Sequence, residues 1–143
     1  MNYIELMGKL KKEFPFDSYI KENSNGDAYK TVFSIVTQYL SEKSNVLDFG
    51  SGPCDKTAVV SLLGHNCIAY DDMQDEWHKK SDNGRKILEF SKNMGIQYFN
   101  TQEVDVNSQT TAFDMIMLND VIEHLHESPK DILLPMLELL KDD

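Results

Sequence analysis

The chain has 143 residues, enough for one domain with a sizeable core, and its 41% hydrophobic and 27% charged content belongs to a folded chain. With 24 acidic against 14 basic side chains the formal charge is -10, which opposes loose attraction to nucleic acid or an anionic membrane. No apolar run approaches the ~20 residues of a bilayer span. The amino terminus lacks the basic-then-apolar order of a signal peptide, and Cys54 and Cys67 make no Cys-x-x-Cys, so a cytoplasmic protein is expected.

Ile4, Met7 and Leu10, spaced by three, predict a short amphipathic helix over 3–12, with Lys9, Lys11 and Lys12 on its solvated face. Phe14-Pro15-Phe16-Asp17-Ser18-Tyr19 breaks it and supplies aromatic surface, either to close over a cleft or to pack outside the domain. Asn23-Ser24-Asn25-Gly26-Asp27 is a turn and a helix start. Ala28, Val32, Ile35, Val36 and Tyr39 then share one face of a helix from about 27 to 42. Residues 1–26 are expected to form a helical cap segment, and 27–143 the main domain.

Val46-Leu47-Asp48-Phe49 reads as the end of a buried strand, and Gly50 and Gly52 as a tight turn with room for close backbone approach. A helix over 55–64 follows, closed by Gly64. Cys67-Ile68-Ala69-Tyr70 is a second strand ending at Asp71-Asp72. Trp77 and His78 lie in a polar stretch and either line a lid or pack on the domain. Ile87, Phe90 and Met94 mark a helix over 85–94, stopped by Gly95, and 96–99 is a third strand. A fourth, 113–118, runs into Asn119-Asp120. Ser128-Pro129 opens a last helix, which Pro135 should bend or displace. Strands alternating with helices predict an α/β, Rossmann-like, mostly parallel sheet with helices on both faces.

If the first two strands are adjacent, Gly50 and Asp71 meet at one edge of a crevice beyond the strand ends, where a carboxylate can accept both ribose hydroxyls. The plainer reading is that Asp71-Asp72 only begins a loop. Asp48, inside an apolar run, needs backbone or ligand donors. Asp55 stands where the dinucleotide fingerprint has its third glycine, a poor neighbour for pyrophosphate, and no Walker lysine pattern occurs. A cofactor with ribose and adenine but no phosphate fits better. Cys54 is either reactive beside the turn or simply small.

These segments carry a resemblance. Val46 to Cys54 resembles the first motif of class I S-adenosylmethionine-dependent methyltransferases, Asp-x-Gly-x-Gly-x-Gly. Gly64 to Asp71 resembles their second strand and ribose-binding acid. Phe113 to Leu125 is similar to the fourth strand and Glu-His-Leu signature of the ubiquinone and menaquinone type. The resemblance implies that Gly50 and Gly52 approach the methionine part of S-adenosylmethionine while Asp48 organises its amino end. It also implies that Asp71 holds the ribose, Met73 neighbours the adenine, and Asn119 and Asp120 face methionine and acceptor. Cys54 replaces the usual third glycine and keeps a small side chain near the cofactor. The adenine-contact acid stays open among Gln102, Glu103 and Asp105.

The expected activity is methyl transfer to a small-molecule acceptor by nucleophilic displacement. His124 is the candidate base, against a purely structural place at the pocket edge. His124-Leu125-His126 with Asp120 is too weak a pattern for a metal site, and none is expected. Family members normally continue into further strands where Lys141-Asp142-Asp143 stands here, so the domain is expected to be truncated after the fourth strand and its helix. That would leave a fourth-strand edge open to self-association or a partner. The alternatives are a non-catalytic S-adenosylmethionine-binding module or subunit and a nicotinamide-dependent oxidoreductase.

Overall fold

The computed structural model describes residues 1–23, 28–41, 43–109, 112–126 and 128–141, the side chains of 21–23 excepted. The turn expected at Asn23 to Asp27 lies almost wholly outside these residues, as do Asp142 and Asp143.

The chain runs α1 (Tyr3–Glu13), α2 (Asp17–Asn23), α3 (Ala28–Tyr39), β1 (Asn45–Phe49), α4 (Asp55–Leu62), β2 (Asn66–Asp71), α5 (Glu76–Lys79), α6 (Asn83–Asn93), β3 (Gln97–Asn100), β4 (Met115–Met117) and α7 (Pro129–Leu137). The strands form one sheet in the order β3-β2-β1-β4. Every pairing is parallel: Leu47 sits opposite Ile68 on one side and Ile116 on the other, and Ala69 opposite Tyr98. All four carboxyl ends therefore share one edge. The chain moves outward from β1 to β3 and then returns to β4 on the far side of β1. That reversal opens a crevice at the ends of β1 and β4.

Period-two alternation along β1 sorts its side chains between two cores. Val46, with Cys67, Ala69 and Met117, packs under α1, α3, α4 and α6, where Leu6, Leu10, Val36, Ala58, Val59, Ile87 and Phe90 are buried. Leu47, Tyr70 and Phe113 form the opposite core with Ile68, Phe99, Val106, Ile116, Leu139 and Leu140.

Several expectations change. The buried face of α1 is Leu6, Met7 and Leu10, whereas Ile4 is 82% exposed, because three-residue spacing drifts off a 3.6-residue face. Asn2 and Glu5 close a reciprocal capping box that fixes where α1 starts. α3 stops at Tyr39 rather than near 42 and buries Tyr29, Val32 and Val36, leaving Ile35 and Tyr39 exposed. Phe14 is not surface but core, edge-on to Phe90 and Phe16. α7 starts at Pro129 as expected and passes through Pro135, ending two residues later at Leu137.

The edge of β4 is partly used. Phe113 N donates to Leu139 O and Lys141 N to Phe113 O, both at 2.9 Å, a parallel bridge that brings residues 139–141 alongside the start of β4. Lys141 Nζ also lies 2.6 Å from Asp114 Oδ1 and holds that carboxyl below its ordinary range. Met115, Ile116 and Met117 pair only with β1 among the described residues. No helix among the described residues is long and apolar enough to cross a membrane.

Candidate functional site

The turn after β1 is folded against β2. Gly50 N and Ser51 N both donate to Tyr70 O, at 2.7 and 3.0 Å, which closes the chain back over its neighbour strand. Gly50 (φ +71) and Gly52 (φ +52) are in the left-handed region, where a Cβ is disfavoured. Their surroundings differ. A Cβ built on Gly50 would run into Val121 Cγ2 in the loop after β4, whereas nothing lies within 4 Å of one built on Gly52. The first glycine lets two loops touch, and the second leaves open space at the rim of a cleft.

Asp71, at the end of β2, ties the turn down. Its Oδ2 accepts from Gly52 N and its Oδ1 from Met73 N, each at 2.8 Å. Each oxygen keeps a second lone pair. The cleft beyond these groups has a volume of about 720 Å3, within the usual range for a small-ligand site. Its floor and rim include Asp48, Gly50, Gly52, Asp71, Asn119 and Asp120, and the Val121–Leu125 loop supplies His124.

Beneath the turn lies a buried polar network. Asp48 is 1% exposed, and its Oδ2 accepts from Thr57 Oγ1 at 2.6 Å. Burial pushes its carboxyl up to about 7, against the opposing pull of the Thr57 hydroxyl. The side chain of Asn119, at the end of the adjacent strand, also pulls the Asp48 carboxyl down by a side-chain hydrogen bond, so this buried acceptor and donor face each other at the cleft floor. Asp55, the first residue of α4, is 2% exposed and accepts from Tyr29 OH at 2.6 Å. Lys56 Nζ reaches Asp120 Oδ2 at 2.9 Å across the cleft mouth. Burial pulls the Lys56 ammonium down, but Asp55 and the hydrogen-bonded Asp120 together more than offset that and leave it raised.

Several solved structures share this arrangement of chain. The plantazolicin methyltransferase BpumL, in complex with SAH, matches with a TM-score of 0.61 at 14% identity over 96% of this chain and 58% of its own. TehB from Haemophilus influenzae matches at 0.61 and 22% identity over 86% and 41%. A putative S-adenosylmethionine-dependent methyltransferase from Methanococcus maripaludis matches at 0.59 and 16% over 87% and 57%. This is a class I methyltransferase-like fold. The chain spans roughly half the length of these structures, from 41% to 58%. No protein-family model matches the sequence, and no curated protein does.

Within this methyltransferase-like fold, Asp48, Gly50, Gly52, Asp71, Asn119, Asp120 and His124 come together around one cleft. Two other expected cofactor neighbours stand off it. Cys54 is fully buried beneath the turn, its thiol 3.7 Å from Ser51 Oγ, and burial pushes that thiol up, away from reactivity. It occupies the third glycine position at φ 61, so the fold keeps the left-handed backbone and tolerates a Cβ there. Met73 (φ 52) turns inward to pack against the core, its sulfur 3.6 Å from where a Gly84 Cβ would stand.

Sequence reading missed Thr57, Lys56 and Tyr29. Thr57 and Lys56 had a local signal, since each follows the glycine turn within one helical turn. The partnership of Tyr29 with Asp55, 26 residues away, had none. Of the candidates for an adenine contact, Asp105 caps the short turn Val106–Ser108 by accepting from Asn107 N, and Gln102 meets Gln74. Among the described residues no group of three metal-ligating side chains converges.

Proposed function

We propose that the chain binds S-adenosylmethionine in this cleft and that its methyl group is transferred to a small-molecule acceptor by direct displacement. One observation carries the reading: the glycine turn and the Asp71 carboxylate meet at one sheet edge, 2.8 Å apart, with open space over Gly52. The class I methyltransferase-like fold and the acceptor and donor that Asp48 and Asn119 bring to the cleft floor support it. Asp71 receives the ribose hydroxyls on its free lone pairs, and Gly52 lets the methionine part approach the backbone. Asp48 and Asn119, an acceptor and a donor side by side at the cleft floor, suit an ammonium and a carboxylate respectively. S-adenosylmethionine held there would supply a sulfonium-activated methyl carbon for direct displacement by a lone pair of the acceptor, with S-adenosylhomocysteine as the leaving product. His124, exposed on the loop after β4, lines the same cleft and takes the proton the acceptor gives up.

A nicotinamide dinucleotide fits badly, because its pyrophosphate would meet the buried Asp55 carboxylate at the start of α4. A cofactor-binding module without turnover of its own is the second reading. Calorimetric titration with S-adenosylmethionine, S-adenosylhomocysteine and nicotinamide adenine dinucleotide separates these. Saturable binding of the first two, abolished in an Asp71→Ala protein that still unfolds cooperatively, is expected. Binding of the dinucleotide alone would overturn the reading.

A further inference from the structure

The cleft has a second wall that the proposed cofactor contacts leave unused. Tyr19 from α2 and Trp77 from α5 both line it, their ring centroids 5.4 Å apart, and Phe16 braces Trp77 from behind at 4.8 Å. Beside them, Asp72 and Asp75 line the same space and are exposed to it. His78, its side chain 2% exposed, also borders the cleft. Its Nδ1 lies 2.9 Å from Asp75 Oδ2 but off hydrogen-bonding geometry, and its Nε2 has no hydrogen-bond partner among the described residues. A buried imidazole left unsatisfied beside a carboxylate marks a place finished by something other than the chain.

Charge decides what that something is. Six aspartates line the cleft, and Lys56 is its one lysine or arginine among the described residues, already joined to Asp120. A ligand of net negative charge at this wall meets repulsion from Asp72 and Asp75, whereas a cation gains from those carboxylates and from the Tyr19 and Trp77 rings that line it. We infer that the Tyr19–Trp77 wall, with Asp72, Asp75 and His78 beside it, is a subsite for an organic ammonium group, and that the acceptor is recognised by such a group carried on an aromatic or apolar body. Naming that ligand the acceptor rests on the methyltransferase reading; the subsite does not.

Trp77 is the only tryptophan of the 143 residues, so its fluorescence reports occupancy of the wall directly. The full chain is titrated with phenethylamine, 2-phenylethanol and phenylacetate, with and without saturating S-adenosylhomocysteine. The amine is expected to bind about tenfold more tightly than the anion, with the alcohol between, and the margin should shrink as salt is raised. In an Asp72→Asn/Asp75→Asn protein the margin should fall to about twofold while calorimetric affinity for S-adenosylhomocysteine is unchanged. Tyr19→Leu, which keeps the carboxylates, should weaken the amine and the alcohol alike. Equal or tighter binding of the anion, no binding of the amine, or a margin indifferent to the double substitution overturns the inference. Displacement of the amine by S-adenosylhomocysteine also overturns it, since the wall would then belong to the cofactor. If S-adenosylhomocysteine fails to bind while the amine preference holds, the methyltransferase reading falls and the ammonium subsite stands.

Discussion

Replacing Gly50 by alanine tests the central contact of the site, because the same substitution at Gly52 provides its control. Both residues have positive φ, so either alanine carries about 1 kcal/mol of left-handed backbone strain. At Gly52 nothing lies within 4 Å of the new methyl, and that strain is the whole effect. At Gly50 the methyl collides with Val121 Cγ2, and Val121 is only 9% exposed, so it has little room to yield. Overpacking of that kind adds about 1–3 kcal/mol, giving roughly 2–4 kcal/mol in total. Urea denaturation monitored by circular dichroism measures both variants, with the slope of the transition checked for constancy. A cycle with Val121→Ala isolates the clash: the double variant should be more stable than the two single effects predict, by about 1–2 kcal/mol. Equal losses at Gly50 and Gly52, or no coupling in the cycle, would refute the idea that the β1 and β4 loops are held in register by the missing side chain. Gly52→Ala should instead weaken S-adenosylmethionine binding while the fold stays nearly as stable.

The Asp48 carboxyl, held near 7 by burial against an ordinary value near 4, binds its proton more tightly folded than unfolded. Stability therefore falls as pH rises from about 4 to about 7, by up to about 4 kcal/mol, and Asp48→Asn should lack that fall. Urea midpoints of both proteins across this window check it, and a gap between them that does not change with pH sinks it. Tyr29→Phe leaves the buried Asp55 carboxylate without its 2.6 Å donor and should cost about 1–3 kcal/mol by the same assay; a loss below 0.5 would mean that Asp55 finds another partner. Asp120 is 72% exposed where it meets Lys56, so Asp120→Asn should change stability by about 1 kcal/mol or less. Native protein should react with a thiol reagent at neither Cys54 nor Cys67 until it unfolds, since both are buried. Fast labelling of Cys54 would put a mobile turn where the structure has a closed one.

The parts of this molecule legible in the sequence are those written in short-range pattern. Apolar runs ending in Asp48-Phe49-Gly50 and Tyr70-Asp71 mark strands, and once these two are neighbours parallel pairing puts their carboxyl ends on one edge; the sheet order itself is not written in the runs. Asn119 and Asp120 line the same cleft as the glycine turn, and their place there was implied by the family resemblance of 113–125 rather than by the strand pattern. What the sequence did not show depends on distance. No spacing links Tyr29 to Asp55 or Tyr19 to Trp77, 58 positions apart, and both pairs form only because α2 and α3 fold over the ends of α4 and α5. Helix faces were misjudged where one end was solvated, as at Ile4 and Tyr39, since periodicity reports a stripe but not how far the neighbouring elements cover it.

The backbone itself points to the same edge as the side chains. Four described residues other than glycine have positive φ, and three lie in the loops that leave strands converging there: Cys54 at the end of the glycine turn after β1, Met73 after β2 and Asp120 after β4. Each such conformation costs on the order of 1 kcal/mol or more, and chains of L-residues keep it only where surrounding contacts over-determine it. Here those contacts are visible: Met73 N is held by Asp71, Asp120 by Lys56, and Cys54 N by Ser51 O at 3.0 Å. Strain shared among three separate loops cannot come from one poor local sequence. It accompanies three loops that leave neighbouring strands at one sheet edge, where Asp120 lines the cleft while Cys54 and Met73 pack behind it, and the rim at Gly52 stays open.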